Sequence, residues 1–385
     1  MARILHVVWR LDEDLGGTPA AAVNMAAAET EYNLTTSIVT TRAPLSKAQG
    51  AFVATRDDAV ISSFPRSRLS VYSYSRAFRS WLRRHIHEFD LVEIHGIFNY
   101  PALVAAAAAS RASVPYLVHP HGSLDPYDLA KHRLLKRVAV GPLLVRPMLA
   151  RARRVVVASD FEKERLHTYR ARCRVEVIPL PYEVDLRPAD PMVFRRANDL
   201  EGKMIVLYLG RIDSKKGLGN LINGVAALQC RFPELVLVLG GDDRSYYARR
   251  LEASVTRRGL QSRVRFLGHL GTVAKREALV AADIFALVSE NENYGLVIVE
   301  AAAWGVPVLT TTQVGVGSYF AKSDAAMIVE PNYHAVVNGL ARLLSDQNLR
   351  RRLSLAGRGV AGGVLSWEAC AKAQRELRLA VLANE

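Results

Sequence analysis

Glu292 and Glu300 bracket seven residues, Asn293-Tyr294-Gly295-Leu296-Val297-Ile298-Val299. An apolar run, Ile284-Phe285-Ala286-Leu287-Val288, precedes them, and Ala301-Ala302-Ala303-Trp304-Gly305 follows before Pro307. The order reads as strand, polar loop, helix start. A helix opening near Gly295 presents free N–H groups and the positive end of its dipole, which suits a phosphate. Glu292 then lies in the loop, and Glu300 about 7–8 Å into the helix at roughly 1.5 Å per residue. One carboxylate can face a sugar while the other faces the far end of the same extended ligand. An ordinary amphipathic helix with a solvated glutamate at each end is the alternative.

Three further loops carry polar groups directly after strand-like runs. Gly210-Arg211-Ile212-Asp213-Ser214-Lys215-Lys216-Gly217 follows Ile205–Leu209 and places Arg211 and Lys216 five positions apart. A guanidinium fork and an ammonium point charge on such a loop can clamp a diphosphate. The Walker pattern is absent, which excludes that phosphate-binding loop. Val118-His119-Pro120-His121-Gly122-Ser123 reads as an exposed polar tip, with His121 able to bond a sugar hydroxyl or a phosphate and His119 read as a packed histidine. His95-Gly96 ends another strand and is a lesser candidate for the same lining. Asp14-Leu15-Gly16-Gly17-Thr18-Pro19 would let backbone approach a ligand, or is a plain turn.

Strand candidates alternate with longer helical patterns along all 385 residues. They are Ile4–Val8, Thr36–Val39, Leu91–Ile94, Tyr116–Val118, Arg154–Val157 and Val175–Ile178, then Ile205–Leu209, Leu235–Leu239, Val264–Phe266, Ile284–Val288, Val308–Leu309 and Ala326–Val329. Such alternation specifies parallel sheets covered by helices. The length exceeds what one core usually fills, so two α/β, doubly wound, Rossmann-like domains are expected, facing a cleft lined by strand carboxyl ends. The break falls at the prolines of Ile178-Pro179-Leu180-Pro181, giving domains 1–185 and 186–365, with a last helix over 366–385.

Composition narrows the classes. Half of the residues are hydrophobic, which excludes a disordered or fibrous chain. Three scattered cysteines, Cys173, Cys230 and Cys370, fit a reducing compartment and no metal-ligand spacing. The first residues read as a strand rather than a leader, and no apolar window reaches about 18 residues, so a cytoplasmic protein is expected. The net charge is +14, and between Lys131 and Arg174 there are thirteen Lys or Arg against three acids. Leu134, Leu135, Val138, Val140, Leu143, Leu144 and Met148 recur there at helical spacing. This is a solvated basic face or an amphipathic surface that rests on anionic lipid, at the inner face of the plasma membrane. Nucleic acid is not expected, because no RNA-binding signature accompanies the charge.

Gly16-Gly17, His121-Gly122, Gly210-Arg211 with Lys216-Gly217, and the paired glutamates together resemble the retaining, nucleotide-sugar-dependent glycosyltransferases of family 4, with the GT-B fold. Val157-Ala158-Ser159-Asp160-Phe161-Glu162, Val177-Ile178-Pro179 and Gly240-Gly241-Asp242 extend the resemblance over nearly the whole chain. It implies that Arg211 and Lys216 bind the donor diphosphate and that Glu300 holds the ribose. It implies that Glu292 faces the transferred sugar, and that Asn293, Tyr294, Gly295 and Leu296 offer backbone N–H groups. His121 would meet the sugar near C6, Gly17 would let its loop reach the diphosphate, and the last helix would cross back onto the first domain. Lys215 stands where the family often has an acid. No aspartate-pair metal motif is present, so no metal or other cofactor is expected, with retention at the anomeric carbon and a glycan or lipid-diphosphate-linked acceptor. An epimerase of the same architecture, and a non-catalytic sugar-nucleotide sensor, are the rival readings.

Overall fold

The computed structural model describes residues 2–11, 17–30, 34–42, 52–56, 59–67, 73–124, 129, 135–169, 172–242 and 245–383. The chain divides into two compact units, Met1–Glu183 with Trp367–Glu385, and Val184–Ser366.

The first unit is built on β1 (Arg3–Val8), β2 (Thr35–Arg42), β3 (Phe52–Arg56), β4 (Ala59–Pro65), β5 (Leu91–His95), β6 (Tyr116–His119), β7 (Arg154–Val157) and β8 (Val175–Val177), in the order β3-β4-β2-β1-β5-β6-β7-β8. Strands β3 and β4 were not among the sequence candidates. β3 also departs from the expectation of wholly parallel sheets, since it runs antiparallel to β4. One sheet face packs a large core around Leu5, Val7, Val92, Ile94 and Val118. Successive side chains of a strand point to opposite faces. The other face therefore carries Ile4, Leu91 and Leu117, which pack with Val381 of the helix Trp367–Leu382. It also carries Val8 and Ile38, which pack with Ala22 and Ala26 of the helix Gly17–Thr30.

The second unit holds β9 (Met204–Leu209), β10 (Leu235–Gly240), β11 (Val264–Phe266), β12 (Ile284–Leu287), β13 (Val308–Thr311) and β14 (Met327–Val329), all parallel in the order β11-β10-β9-β12-β13-β14. The strands are buried runs such as Ile205-Val206-Leu207-Tyr208, as a sheet covered on both faces requires. Order reverses between β9 and β12, and the polar loops predicted from sequence follow those two strands. Ligands in such sheets sit beyond the carboxyl ends at this kind of reversal. Among the described residues no helix is long and apolar enough to cross a membrane.

Candidate active site

Close backbone contacts in the second unit fuse the loops after β9, β10, β12 and β13. Glu290 N–H donates to the Lys215 carbonyl at 2.8 Å, and Gly210 N–H to the Gly240 carbonyl at 2.9 Å. Gly217 has φ +67°, and a Cβ there would stand 2.1 Å from the Val288 carbonyl oxygen. Only glycine fits both the left-handed backbone and that approach. Gly241 is under the same pressure, with a notional Cβ 1.9 Å from the Gly210 carbonyl oxygen. Beyond β13, Glu292 N–H donates to the Gln313 carbonyl and its own carbonyl accepts from Gly315 N–H, at 2.9 and 3.0 Å. The loop bearing Glu292 is therefore latched at both of its backbone polar groups.

The short 3-10 turn Ser214–Lys216 is capped by Asp213, whose side chain accepts from Lys215 N–H. That turn buries Lys216 and leaves Arg211 exposed. The Lys216 ammonium is ion-paired with the Glu292 carboxylate. The Arg211 guanidinium makes no hydrogen bond or ion pair among the described residues, while its carbonyl accepts from the buried Tyr208 hydroxyl at 2.7 Å. Burial holds the Tyr208 phenol well above its usual range, and the nearby Glu292 and Asp213 charges add to that. It stays a neutral donor that fixes the turn.

The helix Leu296–Ala303 begins at Gly295, whose φ of +96° sets the entry angle. No side chain caps it, so its first N–H groups face the loop. Tyr294 is buried, and its carbonyl accepts from Val316 N–H at 2.8 Å. The Asn293 Oδ1 atom is buried without a hydrogen-bond partner among the described residues. Glu300 is buried inside the helix and pairs with Lys275 Nζ at 2.5 Å. Each glutamate of the pair thus meets a lysine, Glu292 with Lys216 and Glu300 with Lys275.

In the first unit the expectation of an exposed histidine tip is corrected. His119 is the packed histidine that was expected, bonding Glu93 at 3.0 Å, but His121 is only partly exposed rather than at an exposed tip. Glu162 explains the loop's course. Its carboxylate accepts from Gly122 N–H at 2.6 Å and Ala158 N–H at 2.9 Å, drawing 119–122 against the β7 end. His121 has φ +49°, strained for a non-glycine residue. His95 is buried as well, not lining, and its Nδ1 lies 2.8 Å from His121 Nε2. Burial, then the neighbouring His119, lowers the His121 imidazole to about 3. Gly17 opens the first helix, and Gly16, like Asp14 and Leu15, lies outside the described residues. Lys131 to Leu134 also lie outside them. The stretch Leu135–Val145 is a π-helix rather than a regular amphipathic α-helix, and it leads into the helix Arg146–Arg151.

Among the described residues, His6, Glu93 and His95 form a group of metal-ligating types whose ligand atoms lie within 4.8 Å of one another. Glu93 is already committed, because Arg378 Nε meets one oxygen at 2.5 Å and His119 the other. The guanidinium charge beside it opposes a cation, so the group's chemistry is hydrogen bonding.

Two family models match the chain: Glycosyl transferase 4-like domain over residues 16–181, and Glycosyl transferases group 1 over residues 193–360. The chain belongs to the GT4-type glycosyltransferases of the GT-B fold. A D-inositol 3-phosphate glycosyltransferase of Jonesia denitrificans is 29% identical over 219 residues, 53% of this chain and 51% of the relative. The chain thus spans about half the length of the curated relatives it matches. Among solved structures, sucrose-phosphate synthase of Thermosynechococcus elongatus superposes with a TM-score of 0.80 at 21% identity, covering 100% of both chains. HepE of Anabaena, solved with UDP and glucose, gives 0.79 at 20% identity over 99% of this chain and 100% of that one. At those identities the likeness establishes the fold.

Sequence reasoning missed four polar residues that the first unit buries together: His6, Glu29, Glu93 and Arg378. It also missed Lys275 in the second. A signal existed for two of them. His6 interrupts an apolar strand, Glu93 sits in Leu91-Val92-Glu93-Ile94, and a buried ionised group demands a partner.

Proposed function

We propose that the chain is a retaining, metal-independent glycosyltransferase. It moves a hexosyl group from a nucleotide-diphosphate sugar to a glycan or lipid-linked acceptor in surface polysaccharide synthesis. The observation that carries this reading is the Lys216–Glu292 pair at the start of the helix Leu296–Ala303, with Glu300 further along the same helix. A diphosphate entering there exchanges carboxylate for phosphate at Lys216 and adds the exposed Arg211. Lys216, Arg211 and the uncapped helix start then neutralise charge on the leaving group, and one such preorganised donor is commonly worth a few kcal/mol. The latched Glu292 orients the transferred sugar, and Glu300 takes the ribose hydroxyls once Lys275 yields. The leaving phosphate accepts the acceptor's proton on the face it vacates, which gives retention. A fold neighbour solved with UDP and glucose supports the donor class.

Melting the protein with UDP, GDP and ADP tests the donor site. A ligand at a hundred times its Kd adds about 2.7 kcal/mol, and Lys216→Ala should lose that response. No shift with any nucleoside diphosphate, or a Lys216→Ala response equal to wild type, defeats the reading. The basic stretch 131–174, with exposed Leu143 and Leu144, supports docking of the first unit on an anionic bilayer. Flotation with anionic vesicles should show binding that high salt removes.

A further inference from the structure

A continuous line of hydrogen bonds runs through the sheet of the first unit and ends at His121. Thr36 Oγ1 donates to Glu29 Oε2 at 2.7 Å, and Glu29 Oε1 lies 2.9 Å from His6 Nε2. His6 Nδ1 lies 2.9 Å from His95 Nε2, and His95 Nδ1 lies 2.8 Å from His121 Nε2. The planes of His95 and His121 are within 10° of parallel, and those of His6 and His95 within 19°. Strand register makes this possible. His6 pairs with Glu93 across β1 and β5, and His95 with His119 across β5 and β6, so these residues share one sheet face. His121 follows β6 at its carboxyl end and has no further polar partner among the described residues.

Neither nitrogen of a neutral imidazole can both donate and accept, so a chain of imidazoles has a direction. Its anchor decides which. Glu29 and Glu93 are both buried, and Arg378 is the one guanidinium they share, at 2.7 Å from Glu29 and 2.5 Å from Glu93. Two carboxylates against one guanidinium leave a negative charge in a site flanked by the apolar clusters around Ile4 and Val8. An unbalanced buried charge is costly. His6 is the imidazole bonded to Glu29, and a proton there restores neutrality.

We propose that Glu29, His6 and His95 are positioning residues that set the direction of this line, so that His121 presents Nδ1–H as a donor to an oxygen of a hydroxylated or phosphorylated ligand. With His6 charged, Nε2–H donates to Glu29 and Nδ1–H donates to His95 Nε2. His95 then carries its single proton on Nδ1 and gives that hydrogen bond to His121 Nε2. His121 is left with its proton on Nδ1. When His6 loses its Nδ1 proton, its Nε2–H still donates to Glu29, but both imidazole–imidazole bonds reverse and His121 Nδ1 becomes an acceptor. The groups facing the line are Glu29 from the first helix, Glu93 from β5, His119 from β6 and Arg378 from the last helix. Burial works against a charged His6, but the Glu29 charge and hydrogen bond outweigh it and raise its proton affinity. Burial and the neighbouring imidazoles hold His95 and His121 neutral. The proposal rests on the expectation, drawn from the family resemblance, that His121 meets the ligand.

The test needs no substrate. In the full chain labelled with 15N-histidine, long-range 1H–15N correlation at pH 6 should show His6 protonated on both nitrogens and His95 and His121 on Nδ1 alone. Raising the pH should move the His121 proton to Nε2 with the same midpoint as the loss of the His6 charge. In Glu29→Gln, one carboxylate balances one guanidinium, so His121 should be in the Nε2–H form already at pH 6. A His121 in the Nε2–H form in the wild type at pH 6 overturns the proposal, as does a tautomer that ignores the His6 titration. If Glu29→Gln does not fold, the wild-type titration alone decides. Failure of nucleotide binding would leave these spectra unchanged, which separates this inference from the donor assignment.

Discussion

The two units treat their charged residues in opposite ways. In the first, Glu29, Glu93 and Arg378 lie inside the sheet's packing, each at 0–2% side-chain exposure, and neighbours fix every bond. In the second, Glu292 and Lys216 lie on loops beyond the strands, and it is the backbone that is fixed. Glu292 is latched through its N–H and carbonyl, while its carboxylate meets Lys216. A buried network holds one arrangement, whereas a rigid backbone carrying part-exposed side chains leaves those side chains free to change partners.

The largest break of that contrast should come from Arg378→Met. It strands two carboxylates in the first unit and should cost about 3–5 kcal/mol, read as a lower urea midpoint. A cost below about 1 kcal/mol would put the network on a par with an exposed pair. Lys216→Ala should do the reverse, with turnover falling about 10²–10³-fold and the urea midpoint nearly unchanged. A matching loss of stability would mean that the second unit also depends on its ion pair.

Gly217→Ala probes the backbone that the second unit keeps rigid. Its methyl meets the Val288 carbonyl in a left-handed residue, so a destabilisation of about 1–3 kcal/mol is expected, with nucleotide response reduced in step. Acid should discriminate as well. His95 and His121 are held below their unfolded value near 6.5, so the unfolded chain binds their protons first and stability falls as pH drops through that value. His6 is raised and contributes in the opposite sense, its stabilisation present below about 6.5 and lost as pH rises through its folded value. Glu93 is depressed, chiefly by Arg378 acting against burial, and its contribution is lost only further down, below the ordinary carboxylate range. Calorimetric melts from pH 8 to 2 should therefore decline in two stages, and Arg378→Met should abolish the lower one. The smallest effect should be Lys275→Met, under about 1 kcal/mol in stability because its partly exposed pair is screened.

Much of the second unit was legible in sequence because its chemistry sits in short loops directly after apolar strands. Gly210–Gly217 and Glu292–Glu300 announce themselves by local order alone. The first unit was legible in its central strands and not in its edge. Ala59-Val60-Ile61-Ser62-Ser63-Phe64 lacks a clean alternation, and only two residues separate it from β3. The His6 line was invisible for a different reason. Arg378 and Glu93 are 285 positions apart, and nothing local tells a charge which distant partner will neutralise it. The histidine loop was misjudged as solvent-facing because Glu162, forty residues on from Gly122, supplies the bonds that tuck it in.

The helix Trp367–Leu382 belongs to the first unit although the entire second unit is translated between them. Until the ribosome has made residue 378, the amino-terminal sheet holds Glu29 and Glu93 without the guanidinium they share, and an apolar strip with no cover. Its maturation must wait for a latecomer. A nascent chain halted before that helix should be open to protease attack in its first 183 residues, and supplying the missing segment should close it.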